Sequence, residues 1–480
     1  MNIKIKPVYY IILALLLTGF MGCKKPLDTV PDTSLTDLKT FDDVRSALRG
    51  AYDGFQSNNY YGSPAASGSA SAWSVLPELM GDDFVEALES LGNWNIMSEM
   101  IYASDYTNVA TTFIQPYEII SRVNNLLKFV EIYETGTTEA EAKRIKAQAL
   151  AIRAHAHFDL MRYFAVDFGR NSTALGVPFV TIFDPQKPFA NLPARNTVKE
   201  NYDAILKDLG DALVAFRDGG NTTGNTSRNY IDSAVVYAMR ARVNYYASEW
   251  NAVIADANIA LALRPVGNSA DYVAAFSTAG ETAPSSEVYW VVPSDNALRP
   301  GGAISGASPN YRVTVAMSNI LQAQGGAYVD PGVNRFNQAG SGGIQRTLSW
   351  KYPGVRSFKV FRAGELLLMR AEAKQRTNDP TALTDLNFLR TNRGVAIGAE
   401  VGTALLDAIL LLRRVELLGE GHRWFDLRRT TKTIVRAECG VANGSRADNC
   451  NIGPTSRSWT FPIPFNEIKV NANLVQNQGY

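Results

Sequence analysis

Hydrophobic residues recur along most of this chain at spacings of three and four positions, the pattern of helices with one buried face. The pattern is strongest over Glu141–Phe164, and it returns over Val198–Phe216 and Leu405–Leu418. The apolar face of the strongest run is formed by Ile145, Ala149, Ile152, Ala156, Leu160 and Tyr163. Pro116 follows a polar run at a first-turn position, so a further helix is predicted from Pro116 through Val130. The chain is therefore predicted to be mainly α.

Two helical patterns, Ile231–Ala247 and Trp250–Leu263, stand next to each other with only Ser248-Glu249 between them. Small residues recur along both at helical spacing, which lets two helices pack closely. These residues are Ala234, Ala238, Ala241, Ala257 and Ala260. The pair resembles a tetratricopeptide-type helical hairpin, and a second hairpin is predicted from Ala363 through Arg390. The predicted fold class is mainly α, an irregular tetratricopeptide-like scaffold of helical hairpins.

Two loop-rich insertions, at about 57–112 and 266–358, interrupt the helical pattern. Gly, Pro, Ser and Asn are dense in the second, which also contains short β-like runs at Val288–Val292 and Tyr311–Val315. The first is similarly loop-rich and carries several Tyr and Trp residues. Because long insertions on a rigid scaffold are where binding usually occurs, we expect the functional residues here.

The N-terminal segment combines a short basic region with an apolar run. Lys4 and Lys6 precede Val8–Leu17, and the uncharged stretch 7–22 has 16 residues, fewer than the roughly 20 of a membrane-spanning helix. These features are typical of a secretory signal. The residues Phe20-Met21-Gly22-Cys23 resemble the lipobox of bacterial lipoproteins, in which the cysteine becomes the acylated first residue. The alternative is an ordinary secretory signal with a coincidental cysteine.

These observations predict three parts of the chain. Residues 1–22 are a signal peptide, residues 23–40 a flexible tether that starts at the lipidated Cys23, and residues 41–480 a single body that contains both insertions. The 47 Lys+Arg nearly balance the 46 Asp+Glu, which gives no support for nucleic-acid binding. We therefore expect a globular protein held at a membrane by acyl chains.

Cys439 and Cys450 flank a loop rich in Gly, Asn, Ser and Asp. Outside the cytoplasm, two nearby cysteines of this kind are more often a disulfide than a metal site. No His or third Cys lies close enough in sequence to complete a zinc site. We therefore predict a local disulfide between Cys439 and Cys450 and no metal; two reactive thiols in the mature protein would refute it.

Signatures of catalysis are absent from the sequence, which contains no GxSxG, no GxxxxGK[ST], no HExxH and no GxGxxG after a strand. His157 is expected to be a packed core residue, and His155 to hydrogen-bond locally to Asp159. The pair Asp82-Asp83 is expected to form a cap or turn with one solvated carboxylate. We predict that the protein is not an enzyme and binds no cofactor.

The segment Arg413–Arg429 (RRVELLGEGHRWFDLRR) interleaves five Arg with three acids. Since the acids cancel the positive field, the segment is interpreted as a semi-buried ion-pair network that ties helices together. The predicted local pairs are Arg413–Glu416, Glu420–Arg423, and Asp426 with Arg423 or Arg429.

The same segment resembles the C-terminal signature of the SusD/RagB family of outer-membrane nutrient-binding lipoproteins. Four further segments resemble that family in the expected order. They are YEIISRVNNLL (Tyr117–Leu127), AQALAIRAHAHFDLMRYF (Ala147–Phe164), FRAGELLLMRAEAKQR (Phe361–Arg376) and FPIPFNEIKVNANLVQNQGY (Phe461–Tyr480). Gln478 stands where the family usually has Pro. The two insertions carry no such match, so the resemblance implies the fold and the partner but not the ligand.

The resemblance implies a lipoprotein of the outer membrane that faces the cell exterior. Such a protein acts as a hinged lid on a SusC-like TonB-dependent transporter, and it captures an oligosaccharide, or in some members a peptide, without chemistry. Two interpretations stay open. The first is an oligosaccharide-binding lid; the second is the same scaffold binding peptides or serving as a structural adaptor of the transporter complex.

Recognition of a sugar needs flat aromatic faces beside hydrogen-bonding side chains. Trp94 has an Asn on either side in a Gly-containing loop, which suits a stacking platform, whereas Trp290 and Trp350 sit in strand-like runs and are expected in the core. The predicted ligand-binding residues, in order of preference, are Trp94 with Asn93 and Asn95, then Trp73, and then Arg299, Tyr311 and Arg312.

Overall fold

Helices supply most of the structure. A computed structural model describes residues 37–62, 72–88, 90, 92, 94–185, 187, 190, 192–220, 227–294, 304, 310–340, 343, 345–441 and 445–480. The chain divides into the units Met1–Lys39 and Thr40–Tyr480, and the second contains every helix and strand of the described residues. The helices are α1 (Phe41–Gly54), α2 (Leu76–Leu79), α3 (Asn95–Ser98), α4 (Thr107–Val130), α5 (Glu139–Phe164), α6 (Val198–Asp218), α7 (Ser233–Tyr246), α8 (Trp250–Leu263), α9 (Ser269–Ala275), α10 (Ala279–Thr282), α11 (Val315–Gln324), α12 (Ala363–Arg376), α13 (Ala382–Asn392), α14 (Gly402–Glu416), α15 (Arg423–Arg429) and α16 (Phe465–Val470).

The long helices pack against their neighbours in sequence, as expected for a series of hairpins. Helix α4 packs on α5, α5 on α6, and α7 on α8, while α8 also packs on α12, which contacts α13 and α14. The predicted apolar face of α5 is buried, and the five small residues of the α7–α8 hairpin are at most 1% exposed. The prediction of a mainly α, tetratricopeptide-like scaffold is therefore confirmed.

The helix that contains Pro116 begins earlier than predicted. Helix α4 starts at Thr107, so Pro116 lies inside the helix and not in its first turn. The hydroxyl of Thr112 donates to the carbonyl of Asn108 at 2.7 Å, within the helix, and does not cap a new one. Proline removes one helical hydrogen bond, and the packing of α4 on α1 and α5 offsets this cost.

The strands are short. Strands β1 (Phe84–Glu86), β3 (Tyr311–Val313), β5 (Gln345–Ser349) and β4 (Asn334–Ala339) form one antiparallel sheet in that order. Two smaller sheets pair β2 (Val288–Val292) with β6 (Phe358–Arg362) and β7 (Ile434–Val435) with β8 (Asn451–Ile452).

The two tryptophans expected in the core have different environments. Trp290 in β2 is fully buried. Trp350 follows directly after β5 and is only half-buried. The guanidinium of Arg335 lies 3.6 Å from the centre of its ring, so a cation covers Trp350 where an apolar neighbour was expected.

The histidines of α5 are both buried. The Nδ1 of His157 lies 2.9 Å from the carbonyl of Arg153, and its Nε2 accepts from the backbone N–H of Val180 at 3.0 Å. This pattern assigns the Nδ1–H tautomer, and burial lowers the pKa of His157 to about 3. His155 lies 3.4 Å from Asp159 and has the hydroxyl of Tyr61 at 2.9 Å. His157 is thus the packed core residue that was expected.

Six charged side chains form a buried ion cluster at the centre of the C-terminal half. Each is at most 3% exposed. Arg362 at the end of β6 bonds all three carboxylates, Arg393 after α13 bonds two of them, and Lys351 after β5 bonds one. The donor–acceptor distances of these bonds lie between 2.6 and 3.0 Å. The cluster consists of Lys351, Arg362 and Arg393 with Glu287, Glu416 and Glu420.

The ion cluster replaces two of the local pairs predicted for Arg413–Arg429. Glu416 bonds Arg362 and Arg393, and Glu420 bonds Arg362 and Lys351, so the predicted pairs of these acids with Arg413 and Arg423 are wrong. The side chains at the end of α14 point into the core, where more distant arginines are closer than neighbours in sequence.

The remaining acids of the segment pair on its other side. Asp426 accepts from Arg429, which was one of the two predicted alternatives, and also from Arg413. Arg423 donates to Asp82 at 2.6 Å, and Arg414 pairs with Asp83. The expected solvated carboxylate is wrong, because Asp83 is 1% exposed and both acids of the Asp82-Asp83 pair bind arginines.

Replacement of Glu416 tests the energetic importance of the ion cluster. In Glu416→Gln, Arg393 and Arg362 each lose a buried counter-charge, so we expect the free energy of unfolding to fall by about 3–5 kcal/mol. The control is Glu131→Gln, since Glu131 is 66% exposed beside Lys146 and its loss should change stability by at most about 0.5 kcal/mol. Urea unfolding at pH 7 measures both, and equal effects would contradict the assignment.

Low pH should reduce the free energy of unfolding through protonation of the Glu416 carboxylate. Burial alone would raise the pKa of Glu416, but Arg393 and Arg362 lower it to about 2, from a usual value of 4.5. The folded state therefore binds fewer protons than the unfolded state, and the stabilisation is present above about pH 4.5 and lost as the pH falls towards 2. We expect the urea midpoint to fall across this window, and to fall less in Glu416→Gln. Parallel pH profiles would contradict this expectation.

Candidate ligand-binding site

The pairing of β1 with β3 brings the two insertions together. Glu86 lies opposite Tyr311, and Val85 lies opposite Arg312. The last residue of β1 and the residues that follow it, 86–99, form what we call the Trp94 segment. Of these, 89, 91 and 93 lie outside the described residues. Three predicted site residues, Trp94, Tyr311 and Arg312, therefore come from distant parts of the chain to one region.

Trp94 and Tyr311 are neighbours in this region. Their ring centres are 6.4 Å apart, with an angle of 57° between the ring planes. The hydroxyl of Tyr311 donates to the Oγ of Ser98 at 3.0 Å, and burial raises the pKa of Tyr311. Trp94 is only 3% exposed, so a sugar ring can stack on it only after its indole side chain has turned outward.

Several polar atoms around Trp94 are buried without partners. The indole N–H of Trp94, the side-chain oxygen of Asn95 and both carboxylate oxygens of Glu86 have no hydrogen-bond partner that meets normal geometry among the described residues. Burial is the largest influence on the pKa of Glu86 and raises it, while the nearby hydroxyl of Ser90 and backbone N–H of Gly92 lower it by less. Unpartnered buried polar atoms are costly, so this region can accept both donors and acceptors from a ligand.

The other predicted residues have different positions. Arg312 is 3% exposed and its guanidinium pairs with Glu438, so it braces the region. Trp73 is 2% exposed and stacks on Tyr60 in the helical core, with ring centres 4.2 Å apart. Asn93 and Arg299 lie outside the described residues. The assignment of ligand contacts to these residues stays a prediction.

Two acids of this region were missed from the sequence. Glu86 ends the apolar strand β1, and a carboxylate beside Phe84 and Val85 on a short buried strand is the signal that could have indicated it. Glu99 follows α3, and its carboxylate accepts from the backbone N–H groups of Asp448 and Asn449. One oxygen of the Glu99 carboxylate is therefore bonded by the chain itself, whereas neither oxygen of Glu86 has a hydrogen bond of normal geometry among the described residues.

A separate concavity of about 470 Å³ lies at the ends of α5, α7 and α15. Its lining includes Phe168, Tyr246, Arg428 and Trp459, together with hydroxyl side chains, and none of the predicted ligand-binding residues. Within the described residues, no group of His, Cys, Asp and Glu has the arrangement of a metal site. No helix formed by those residues has the length and apolar character that crossing a membrane requires.

Comparison with known protein families identifies two matches. Residues 346–480 match the family described as the SusD family. Residues 27–245 match the family described as "Starch-binding associating with outer membrane". The SusD-like protein P38 of Formosa agariphila is 23% identical to this chain, over 99% of this chain and 100% of that protein.

Solved structures share the fold. A SusD superfamily protein from Bacteroides vulgatus has a TM-score of 0.76 and 22% identity, over 92% of this chain and 100% of that one. A SusD-like carbohydrate binding protein from the same species has a TM-score of 0.76 and 21% identity, over 91% and 98% of the two chains. These similarities show that this chain shares its fold with solved structures over 91–92% of its length.

Replacement of Glu86 tests whether its carboxylate is unsatisfied. Since burial raises its pKa, the folded state holds the proton more tightly than the unfolded state, and stability falls as the pH rises above about 4.5. We expect Glu86→Gln to raise the free energy of unfolding by about 1 kcal/mol at pH 8 and to change little at pH 4. The matched variant Glu99→Gln should destabilise at pH 8, because Glu99 accepts two N–H groups. Destabilisation by both variants in urea unfolding would contradict the assignment.

Proposed function

Because the chain belongs to the SusD/RagB family, we propose that it is a non-catalytic surface lipoprotein that captures oligosaccharides and delivers them, as a lid, to a SusC-like TonB-dependent transporter of the outer membrane. The family match described as starch-binding and outer-membrane-associated supports a carbohydrate ligand and a membrane location. Residues 1–36, which include the predicted signal peptide and the lipidated Cys23, lie outside the described residues, so the lipid anchor is part of the proposal.

The observation that carries the ligand assignment is the set of buried polar atoms in the Trp94 segment, on Glu86, Trp94 and Asn95, that have no hydrogen bond of normal geometry among the described residues. A sugar hydroxyl both donates and accepts, so one hydroxyl can donate to Glu86 while another accepts from the indole N–H of Trp94. The ring itself offers a flat apolar face for the CH groups of a pyranose. We infer that ligand binding requires the indole side chain of Trp94 to turn outward and expose this face, while both ends of the Trp94 segment stay in place.

Affinity electrophoresis tests this function and its site together. The probe proteins lack residues 1–23 and migrate through gels that contain one soluble polysaccharide each, from a panel of starch, xylan, mannan, pectin and β-glucan. We expect retardation by one polymer and a roughly tenfold loss of affinity in Trp94→Ala, the effect of a binding tryptophan. Asn95→Ala, which removes an acceptor from a half-buried position, should weaken binding less.

The control variant is Trp250→Ala, which removes a half-buried tryptophan at the start of helix α8, outside the Trp94 segment. Thermal unfolding of each variant separates lost binding from lost folding. Affinity within twofold of wild type in Trp94→Ala would overturn the site, and the 470 Å³ concavity would be the next candidate. No retardation by any polymer would contradict oligosaccharide capture in the isolated protein and favour the peptide-binding alternative.

A further inference from the structure

The Trp94 segment is held in place by a second loop. We call residues 436–450 the clamp segment, of which 442–444 lie outside the described residues. Cys439 and Cys450 within it form a disulfide, with Cα atoms 5.6 Å apart. The described residues between β7 and β8 contain no α-helix or β-strand of their own.

The clamp segment contacts the chain just before Trp94. The backbone N–H of Arg446 donates to the carbonyl of Glu86 at 3.1 Å. Its guanidinium donates twice to the carbonyl of Leu88, at 3.0 and 2.8 Å. Ser445 forms an antiparallel bridge with Ala87. The entry to the Trp94 loop is therefore held through backbone groups.

The clamp segment also contacts the chain just after Trp94. The side-chain amide of Asn449 donates to the carbonyl of Glu99 at 2.9 Å, and two backbone N–H groups of the clamp bind the Glu99 carboxylate. The guanidinium of Arg436 donates to the carbonyl of Ser98. Both ends of the stretch that presents Trp94 are thus attached to the same short loop.

A third contact joins the clamp to the other insertion. The carboxylate of Glu438 pairs with Arg312 in β3 and accepts from the backbone N–H of Val315. Inside the clamp, the Gly440 N–H donates to the Ala447 carbonyl at 2.7 Å and the Ser445 N–H to the Gly440 carbonyl at 3.4 Å. The covalent bond between Cys439 and Cys450 is the strongest restraint that keeps these contact groups in register.

From this arrangement we propose that the Cys439–Cys450 disulfide is a positioning device of the ligand site. It holds the clamp segment in the shape that pins both ends of the Trp94 segment and braces β3, so ligand affinity depends on the disulfide being formed. This inference rests on the proposed function. Its physical basis is preorganisation, since a loop that is already ordered loses less entropy when a ligand binds.

The test compares wild type with the double variant Cys439→Ser/Cys450→Ser, both lacking residues 1–23. Hydrogen exchange of peptides that cover residues 86–99 reports the ordering of the Trp94 segment without any ligand. We expect faster exchange there in the double variant and unchanged exchange in helices α7 and α8. With the polysaccharide that retards wild type, the apparent dissociation constant should rise about tenfold, as expected if a tenth of the molecules keep the competent conformation.

Two single variants separate positioning from general stability. Asn449→Ala keeps the disulfide and removes one contact to Glu99, and it should shift exchange and affinity in the same direction by a smaller factor. Asn473→Ala removes an equivalent amide-to-carbonyl bond, to Leu192 at 2.8 Å, away from the clamp, and it should change neither.

The outcomes distinguish this inference from the proposed function. If wild type binds no polysaccharide, the proposed function fails, and the exchange experiment still decides whether the disulfide orders the Trp94 segment. If wild type binds and the double variant binds within twofold, the positioning role is overturned. Unchanged exchange over residues 86–99 in the double variant would overturn it as well, whatever the affinity.

Discussion

The buried ion cluster is the interaction on which the C-terminal half of the structure depends. Its three carboxylates and three cations come from five different places in the chain, and each is removed from water. Charges in such a place are tolerated only when every one is paired and hydrogen-bonded. Arg362 bonds all three carboxylates. It therefore fixes the end of β6, the end of α14 and Glu287, the residue before β2, relative to one another. Sequence separation is irrelevant to this arrangement, because electrostatic pairing in the core selects partners by position in space.

This explains which features the sequence could predict and which it could not. Helix periodicity is local, so α5, α6, α8 and the α7–α8 hairpin were predicted to within a few residues. Local rules failed where tertiary contacts decide. The sequence pattern predicts a helix start at Pro116, because an isolated helix tolerates proline only in its first turn, but packing on both sides keeps α4 continuous. Glu416 and Glu420 were assigned to neighbours in sequence, and the core supplies more distant arginines instead.

The candidate site shows the same division. The sequence predicted that the two insertions carry the site, and β1–β3 pairing does bring Trp94 and Tyr311 together. The sequence does not indicate whether an aromatic side chain in a loop is exposed. Trp73 and Trp94 are both almost fully buried. Glu86 and Glu99 were missed because a buried carboxylate in a short strand or turn has no sequence pattern of its own. The Glu99 carboxylate has its partners far away in sequence, in the clamp segment, and the Glu86 carboxylate is notable because it has no hydrogen bond of normal geometry among the described residues.

The pairing of β1 with β3 also has a consequence for chain entropy. It joins residues more than 200 positions apart, such as Phe84 and Val313. Closing a flexible loop of that length costs about 5 kcal/mol beyond a constant contribution. Pairing of three residues on each strand contributes only about 3 kcal/mol of stability, at roughly 1 kcal/mol for each net hydrogen bond. The ladder cannot hold the two insertions together by itself, so the helical scaffold must already hold their ends close to each other. The pairing of β1 with β3 therefore depends on the helical scaffold, because the helices hold the two insertions close enough to pair.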